Sequence, residues 1–144
     1  MTRSISAALL LGLFAACISH SAVAESAGDA AQVAQLGQTK QFGTLKVTLE
    51  SFSIHGVTAD VVLRMDNLAD AERSIAMLLF FEARSDGGEL GDYDYAKSNC
   101  DGTIPPKGSF KCKLALIFPD APNQVSLRVG EGMMGETVTF DLAR

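Results

Sequence analysis

Histidine is scarce in this chain: two in 144 residues, His20 and His55. His20 lies in an N-terminal segment that reads as a cleaved signal, which leaves His55 alone. Nucleophilic catalysis needs a nucleophile with a base beside it, and no Gly-x-Ser-x-Gly elbow is present to supply one. Cys100, Cys112 and His55 do not have the spacing of a zinc finger or ribbon, so no metal is expected. A Cys-x-x-Cys pair is absent, which removes the usual thiol redox motif. No apolar run reaches the roughly 20 residues that a membrane-crossing helix requires. Basic residues are outnumbered, 12 Lys and Arg against 17 Asp and Glu, for a net charge of −5. An acidic chain has no general attraction to nucleic acid or to anionic lipid. No cofactor motif occurs, and none is expected.

What is present starts with an export signal. Arg3 precedes a short apolar run over residues 7–16, and Ala22-Val23-Ala24 is a small-residue cleavage site. That layout assigns residues 1–24 to a secretory signal peptide. Phe14-Ala15-Ala16-Cys17 offers a second reading as a lipobox, with Cys17 lipidated and the protein anchored to a membrane. Phe14 stands where such boxes usually carry leucine, so soluble export is preferred. Residues 25–41 are rich in Ala, Gln and Gly and read as a flexible leader, with a short helix conceivable over residues 30–36. Residues 42–144 are the right length for one domain.

The domain alternates with period two. Leu45, Val47 and Leu49 share one parity, and Phe52 and Ile54 take the other. One extra residue near Glu50 or Ser51, a β-bulge, reconciles them. Val57, Ala59, Val61, Leu63 and Met65 then alternate without a fault. A tight turn at His55-Gly56 sets Ile54 opposite Val57, Phe52 opposite Ala59, Leu49 opposite Val61, Val47 opposite Leu63 and Leu45 opposite Met65. Residues 75–83 are apolar on both parities and read as a buried central strand. A weaker strand follows over residues 89–95. Phe110, Cys112, Leu114, Leu116 and Phe118 alternate, as do Val125, Leu127 and Val129, and then Val138, Phe140 and Leu142. Seven or eight short strands with a turn every ten or so residues predict an all-β fold, a sandwich or small barrel.

Cys100 and Cys112 flank Pro105-Pro106-Lys107-Gly108. A turn centred near Pro106 makes them cross-strand neighbours within reach of a disulfide. Two cysteines in an exported domain are expected to form one structural bridge, stapling a β-hairpin.

A resemblance rests on this block. The strand ending Val61 to Asn67 is followed by Gly102-x-Ile104-x-Pro106-x-Gly108-Ser109 and an alternating strand that ends Phe118-Pro119. The pattern resembles the immunoglobulin-like extracellular domains of unknown function found in bacterial secreted proteins and lipoproteins. The resemblance implies an immunoglobulin-like β-sandwich without enzymatic activity, and it supplies no catalytic residues.

Candidate sites follow from the remaining chemistry. Asp86, Glu89, Asp92, Asp94 and Asp101 form an acidic run that suits calcium by type but not by an EF-hand pattern. A solvated strand edge is the preferred reading. Lys97, Lys107, Lys111 and Lys113 are a local basic cluster near the staple. Tyr93 and Tyr95 are amphipathic contact residues. Met133 and Met134 sit on a Gly-rich loop and read as an adaptable contact or, preferably, as a plug for the end of the sandwich. The expected function is binding of a protein or cell-envelope component by a periplasmic or secreted module, with Tyr93, Tyr95, Lys107, Met133 and Met134 as candidate partner-binding residues. A small periplasmic enzyme, an inhibitor-like factor, or a lipid-anchored envelope protein held through Cys17 are the alternatives.

Overall fold

The structure is a computed structural model that describes residues 34–132 and 134–144. The expected signal peptide, Cys17 and most of the expected leader lie outside the described residues. Ten strands and one helical turn follow in chain order. They are β1 (Thr39–Phe42), β2 (Leu45–His55), β3 (Thr58–Asn67), β4 (Arg73–Ile75), α1 (Met77–Phe80), β5 (Phe81–Ser85), β6 (Asp92–Tyr93), β7 (Gly102–Ile104), β8 (Ser109–Ile117), β9 (Gln124–Gly130) and β10 (Thr137–Ala143). Residue 42, where the sequence places the start of the domain, is the last residue of β1. The described part of residues 30–36 contains no helix.

Every pairing is antiparallel. One sheet runs β1-β2-β3-β8-β6, a second runs β10-β9-β5, and β4 pairs with β7 in a separate ribbon. Take β2, β3, β8 and β6 as strands A, B, E and D, and β5, β9 and β10 as C, F and G. The order is then that of an immunoglobulin sandwich, ABED against CFG. The inward faces of both sheets share one apolar core, with Leu63, Leu114, Leu127 and Phe140 all fully buried. Alternation builds this directly: along β3, and along β2 up to the bulge, every second residue is buried and its neighbours are not.

The bulge falls where the parity break predicts it, between Leu49 and Ser51. The register does not. Ile54 pairs with Ala59, Phe52 with Val61, Leu49 with Leu63, Val47 with Met65 and Leu45 with Asn67, two residues away from the expected partners. A two-residue slip leaves every side chain on its original face, so apolar patterning cannot detect it. The turn decides the matter. His55 pairs with Thr58, so the loop is Gly56-Val57, and Gly56 takes φ +56°. A positive φ at the first central position is the glycine requirement of a type II′ turn. A turn at His55-Gly56 would ask His55 to do the same.

The long buried strand expected over residues 75–83 is three pieces. Ile75 ends β4, Met77–Phe80 forms one helical turn, and β5 begins only at Phe81. Of the strand expected over residues 89–95, only Asp92 and Tyr93 pair as β6.

The disulfide joins Cys100 to Cys112 with Cα atoms 4.7 Å apart, and both residues are buried. It does not staple a continuous hairpin. Asn99 holds to β8 through hydrogen bonds with the Lys113 backbone, its N–H donating at 2.9 Å and its Oδ1 accepting at 2.6 Å. From Gly102 the chain leaves β8 and pairs with β4 instead. The bridge therefore sits where the chain switches partners.

Both edges of the three-stranded sheet carry backbone carbonyls that are already used. On β5, Phe81 C=O accepts from the Tyr93 hydroxyl and Ala83 C=O accepts from Gly91 N–H at 2.9 Å. On β10, Asp141 C=O accepts from Ala34 N–H at 2.6 Å and Thr139 C=O from the Lys40 ammonium. Edges satisfied in this way are poor templates for strand addition.

Candidate functional site

The loops divide between two ends. The connections β3–β5, β6–β8 and β9–β10 gather at one end, in the positions of the B–C, D–E and F–G loops. Their underpinning is Asn67, at the end of β3 and 1% exposed. Its Nδ2 lies 2.8 Å from Ala71 C=O, 3.2 Å from Pro105 C=O and 3.3 Å from Ile104 C=O, and its Oδ1 accepts from Ala69 N–H at 3.0 Å. One amide thus ties the B–C connection to the D–E connection, and the β4–β7 ribbon continues the join.

On this base sits α1. Met77 turns inward, and its N–H donates to Asp101 Oδ1 at 2.8 Å. Leu78 and Leu79 turn outward and are 65% and 66% exposed. The F–G loop packs beside them through Gly132 N–H to Leu79 C=O at 3.1 Å. Met134 on the same loop is fully exposed, so it does not plug the sandwich as expected. Met133 lies outside the described residues. Between α1 and the F–G loop runs a shallow cleft of about 190 Å³. Leu78, Leu79 and Phe80 form its apolar wall, and Glu82, Arg128 and Thr137 its polar one. Leu78 and Leu79 carry no sequence signal for exposure. A run apolar on both parities reads as buried on both faces, and only the break into a helical turn sends these two outward.

The other candidates are dispersed. Lys107 lies at the loop end in the Pro105–Gly108 turn, where Gly108 N–H donates to Pro105 C=O at 3.0 Å. It is the third residue of that turn and takes φ +54°, a conformation that costs a side-chain-bearing residue about 1 kcal/mol or more. Its own bonds hold it there: N–H to Ala69 C=O at 3.1 Å, Nζ to Leu68 C=O at 2.6 Å, and Nζ to Asp70 at 3.2 Å. Tyr93 on β6 and Tyr95 just after it stand beside each other with ring centroids 6.2 Å apart, and the Tyr93 hydroxyl reaches Phe81 at the start of β5. Tyr95 is exposed and Tyr93 is half-buried. Burial, with the negative charge of Glu82 added, pushes the Tyr93 phenol up to about 12. It stays protonated and donates to Phe81 C=O.

Each lysine of the basic cluster faces a carboxylate: Lys97 with Asp94 at 2.9 Å, Lys107 with Asp70 at 3.2 Å, Lys111 with Glu50 at 2.6 Å and Lys113 with Asp60 at 3.2 Å. The hydrogen bond and charge of Lys97 hold the Asp94 carboxyl below its usual range. The acidic run is equally divided. Asp86 receives Asn123 N–H at 3.1 Å, Asp94 faces Lys97, and Asp101 caps α1. Among the described residues no three His, Cys, Asp or Glu side chains gather in a metal-holding group. His55 is an exposed residue at the β2 end of the Gly56-Val57 turn.

No protein-family model and no curated protein matches the chain. Solved structures do. The yjhA protein of Bacillus subtilis superposes with TM-score 0.59 at 11% identity, over 74% of this chain and 97% of that one. A candidate lipoprotein of B. subtilis, ycdA, gives TM-score 0.60 at 15% identity, over 73% of this chain and 38% of that one. MPT63, a secreted protein of Mycobacterium tuberculosis, gives TM-score 0.51 at 13% identity, over 78% of this chain and 97% of that one. At such identities the likeness is one of fold, a bacterial β-sandwich.

Proposed function

We propose that the chain is an exported, non-catalytic immunoglobulin-like module that binds a protein or cell-envelope component through its B–C and F–G loops. The observation that carries this reading is the exposure of Leu78, Leu79 and Met134 together over a rigid, hydrogen-bonded base. Exposed apolar groups clustered on adjoining loops suit contact better than solvation. The satisfied carbonyls of β5 and β10 disfavour strand addition at the edges of the three-stranded sheet. The dispersal of carboxylates and the solitary His55 favour binding over catalysis.

The test is cross-linking in intact cells from a photoreactive residue placed at position 134, repeated with Leu78→Ser and Leu79→Ser. A specific cross-link that these substitutions abolish is expected. An unchanged cross-link overturns the loop assignment, and the absence of any cross-link from position 134 counts against the module reading itself. Of the earlier candidates, Lys107 and Met134 lie on these loops, and Tyr93 and Tyr95 are to be scanned with alanine alongside them.

The export signal, together with a secreted neighbour in MPT63, favours a periplasmic or secreted location. A lipid anchor at Cys17 is the second reading, favoured by the ycdA likeness. The mass of the mature N-terminus separates the two: a chain starting at Glu25 excludes the anchor.

A further inference from the structure

We infer that the cleft between α1 and the F–G loop takes a cationic protein segment carrying one bulky apolar anchor side chain. The inference rests on the module reading above and adds the chemistry of the partner. Size gives the first constraint. The cleft holds about 190 Å³, whereas small-molecule sites usually span about 300–1,000 Å³. A space of this order suits a single leucine- or phenylalanine-sized group inserted from a larger partner.

Its lining gives the second. Leu78, Leu79 and Phe80 provide an apolar wall against the anchor, and Met134 stands exposed on the adjoining loop. The Gly132 side of the cleft presents backbone rather than side chain, with open space where a Cβ would project. A peptide main chain can approach such a surface closely.

Charge selects among occupants. Residues 68–80 and 131–136, the B–C and F–G connections, carry Asp70, Glu72, Glu131 and Glu136 against Arg73, which pairs with Glu131, while the cleft walls add one charge of each sign, Glu82 and Arg128. Residues 94–108 between them are balanced, with Asp94 and Asp101 against Lys97 and Lys107. A second copy of the chain would set one acidic end against another. An anionic lipid surface or a nucleic acid would meet the same repulsion. A segment bearing lysine or arginine around its anchor meets attraction instead.

Placement gives the last argument. Ala34 is bonded to Asp141, toward the far end of β10, and β1 runs from there toward the loop end. The first described residue therefore lies away from the cleft.

The probes are two labelled amphipathic peptides with the same leucine and phenylalanine positions, one otherwise lysine-rich and the other glutamate-rich. Fluorescence anisotropy on the full mature chain should show the lysine peptide binding at least about tenfold more tightly. That binding should weaken about tenfold in the Leu78→Ser/Leu79→Ser double variant and fall with added salt. Circular dichroism of the variant, unchanged, would show that the fold survives. Equal binding of both peptides, binding of neither, or binding indifferent to the double substitution would overturn the inference. So would concentration-dependent dimers lost in that variant, or its loss of binding to anionic vesicles. Sequencing of the peptide cross-linked to position 134 separates the two readings. An acidic or uncharged contact segment refutes the cationic partner and leaves the binding module standing.

Discussion

The two ends of the sandwich solve opposite problems. The end holding Gly56-Val57 closes on itself. Its turn is the shortest a hairpin can use, Thr58 Oγ1 donates to His55 C=O at 2.9 Å, and Asp86 binds both the backbone and the side chain of Asn123. Gly91 packs so tightly against Phe118 that a Cβ there would lie 2.8 Å from the ring. The loop end is built from longer connections that need cross-ties: the disulfide, the β4–β7 ribbon and the Asn67 amide. It is also the end where Leu78, Leu79 and Met134 face water. The difference teaches that rigidity and exposure go together here. Ordering a loop beforehand removes part of the entropy cost of binding with it.

Removing the ties of the loop end should give the largest effects. Cys100→Ala with Cys112→Ala is expected to cost about 3 kcal/mol, by the chain-entropy model for a loop of this size. Urea unfolding of the oxidised and double-substituted proteins measures it, and a midpoint that does not move would show the bridge to be dispensable. Asn67→Ala should cost about 2 kcal/mol, because it strands several buried backbone groups at once. Hydrogen exchange should then quicken at Ala69 while Thr58 and Ala59 stay protected. Equal acceleration at both ends would break the comparison.

At the opposite end, Gly56→Ala should cost about 1 kcal/mol, from the positive φ rather than from any clash. Thermal melts measure that loss, and cross-linking from position 134 should be unaffected. Between the ends, Tyr93 gives a pH signature. Its phenol titrates near 12 in the fold and at 10.0 when unperturbed. Below pH 10 both states keep the proton and the contribution of Tyr93 is complete. Between 10 and 12 the unfolded chain ionises first, so stability falls as pH rises. Tyr93→Phe should remove that part of the alkaline decline. The smallest effect on stability belongs to Leu78→Ser with Leu79→Ser, within about 0.5 kcal/mol since both are exposed. The same pair should produce the largest loss of cross-linking, which is the sharpest form of the contrast.

Legibility followed the same division. Strands β2, β3 and β8 could be read in advance, because apolar and polar residues alternate along them and the parity break near Glu50 marks the bulge, whereas most of β1 fell in the expected leader and the order of the sheet was not legible. The disulfide pairing was legible because two cysteines, Cys100 and Cys112, flank one Pro-Gly turn. Residues 75–83 were not legible. Their apolar character on both parities fits a buried strand as well as it fits a helical turn that buries Met77 and exposes Leu78 and Leu79. Asn67 was visible as a strand-ending residue, but its partners at Ala71, Ile104 and Pro105 are brought to it only by folding. The carboxylate partners of the lysine cluster were not legible for a related reason. Glu50, Asp60 and Asp70, which partner three of its four members, are remote in sequence and near in space.

The sequence alone determined the fold class, the bulge and the pairing of the cysteines, since each depends on residue type and local spacing. Tertiary structure alone decided the hairpin register, the switch of β7 from β8 to β4, and which apolar residues face water. A two-residue slip, a choice between strand partners and a turn between two elements all preserve local pattern. They differ only in contacts made between distant parts of the chain.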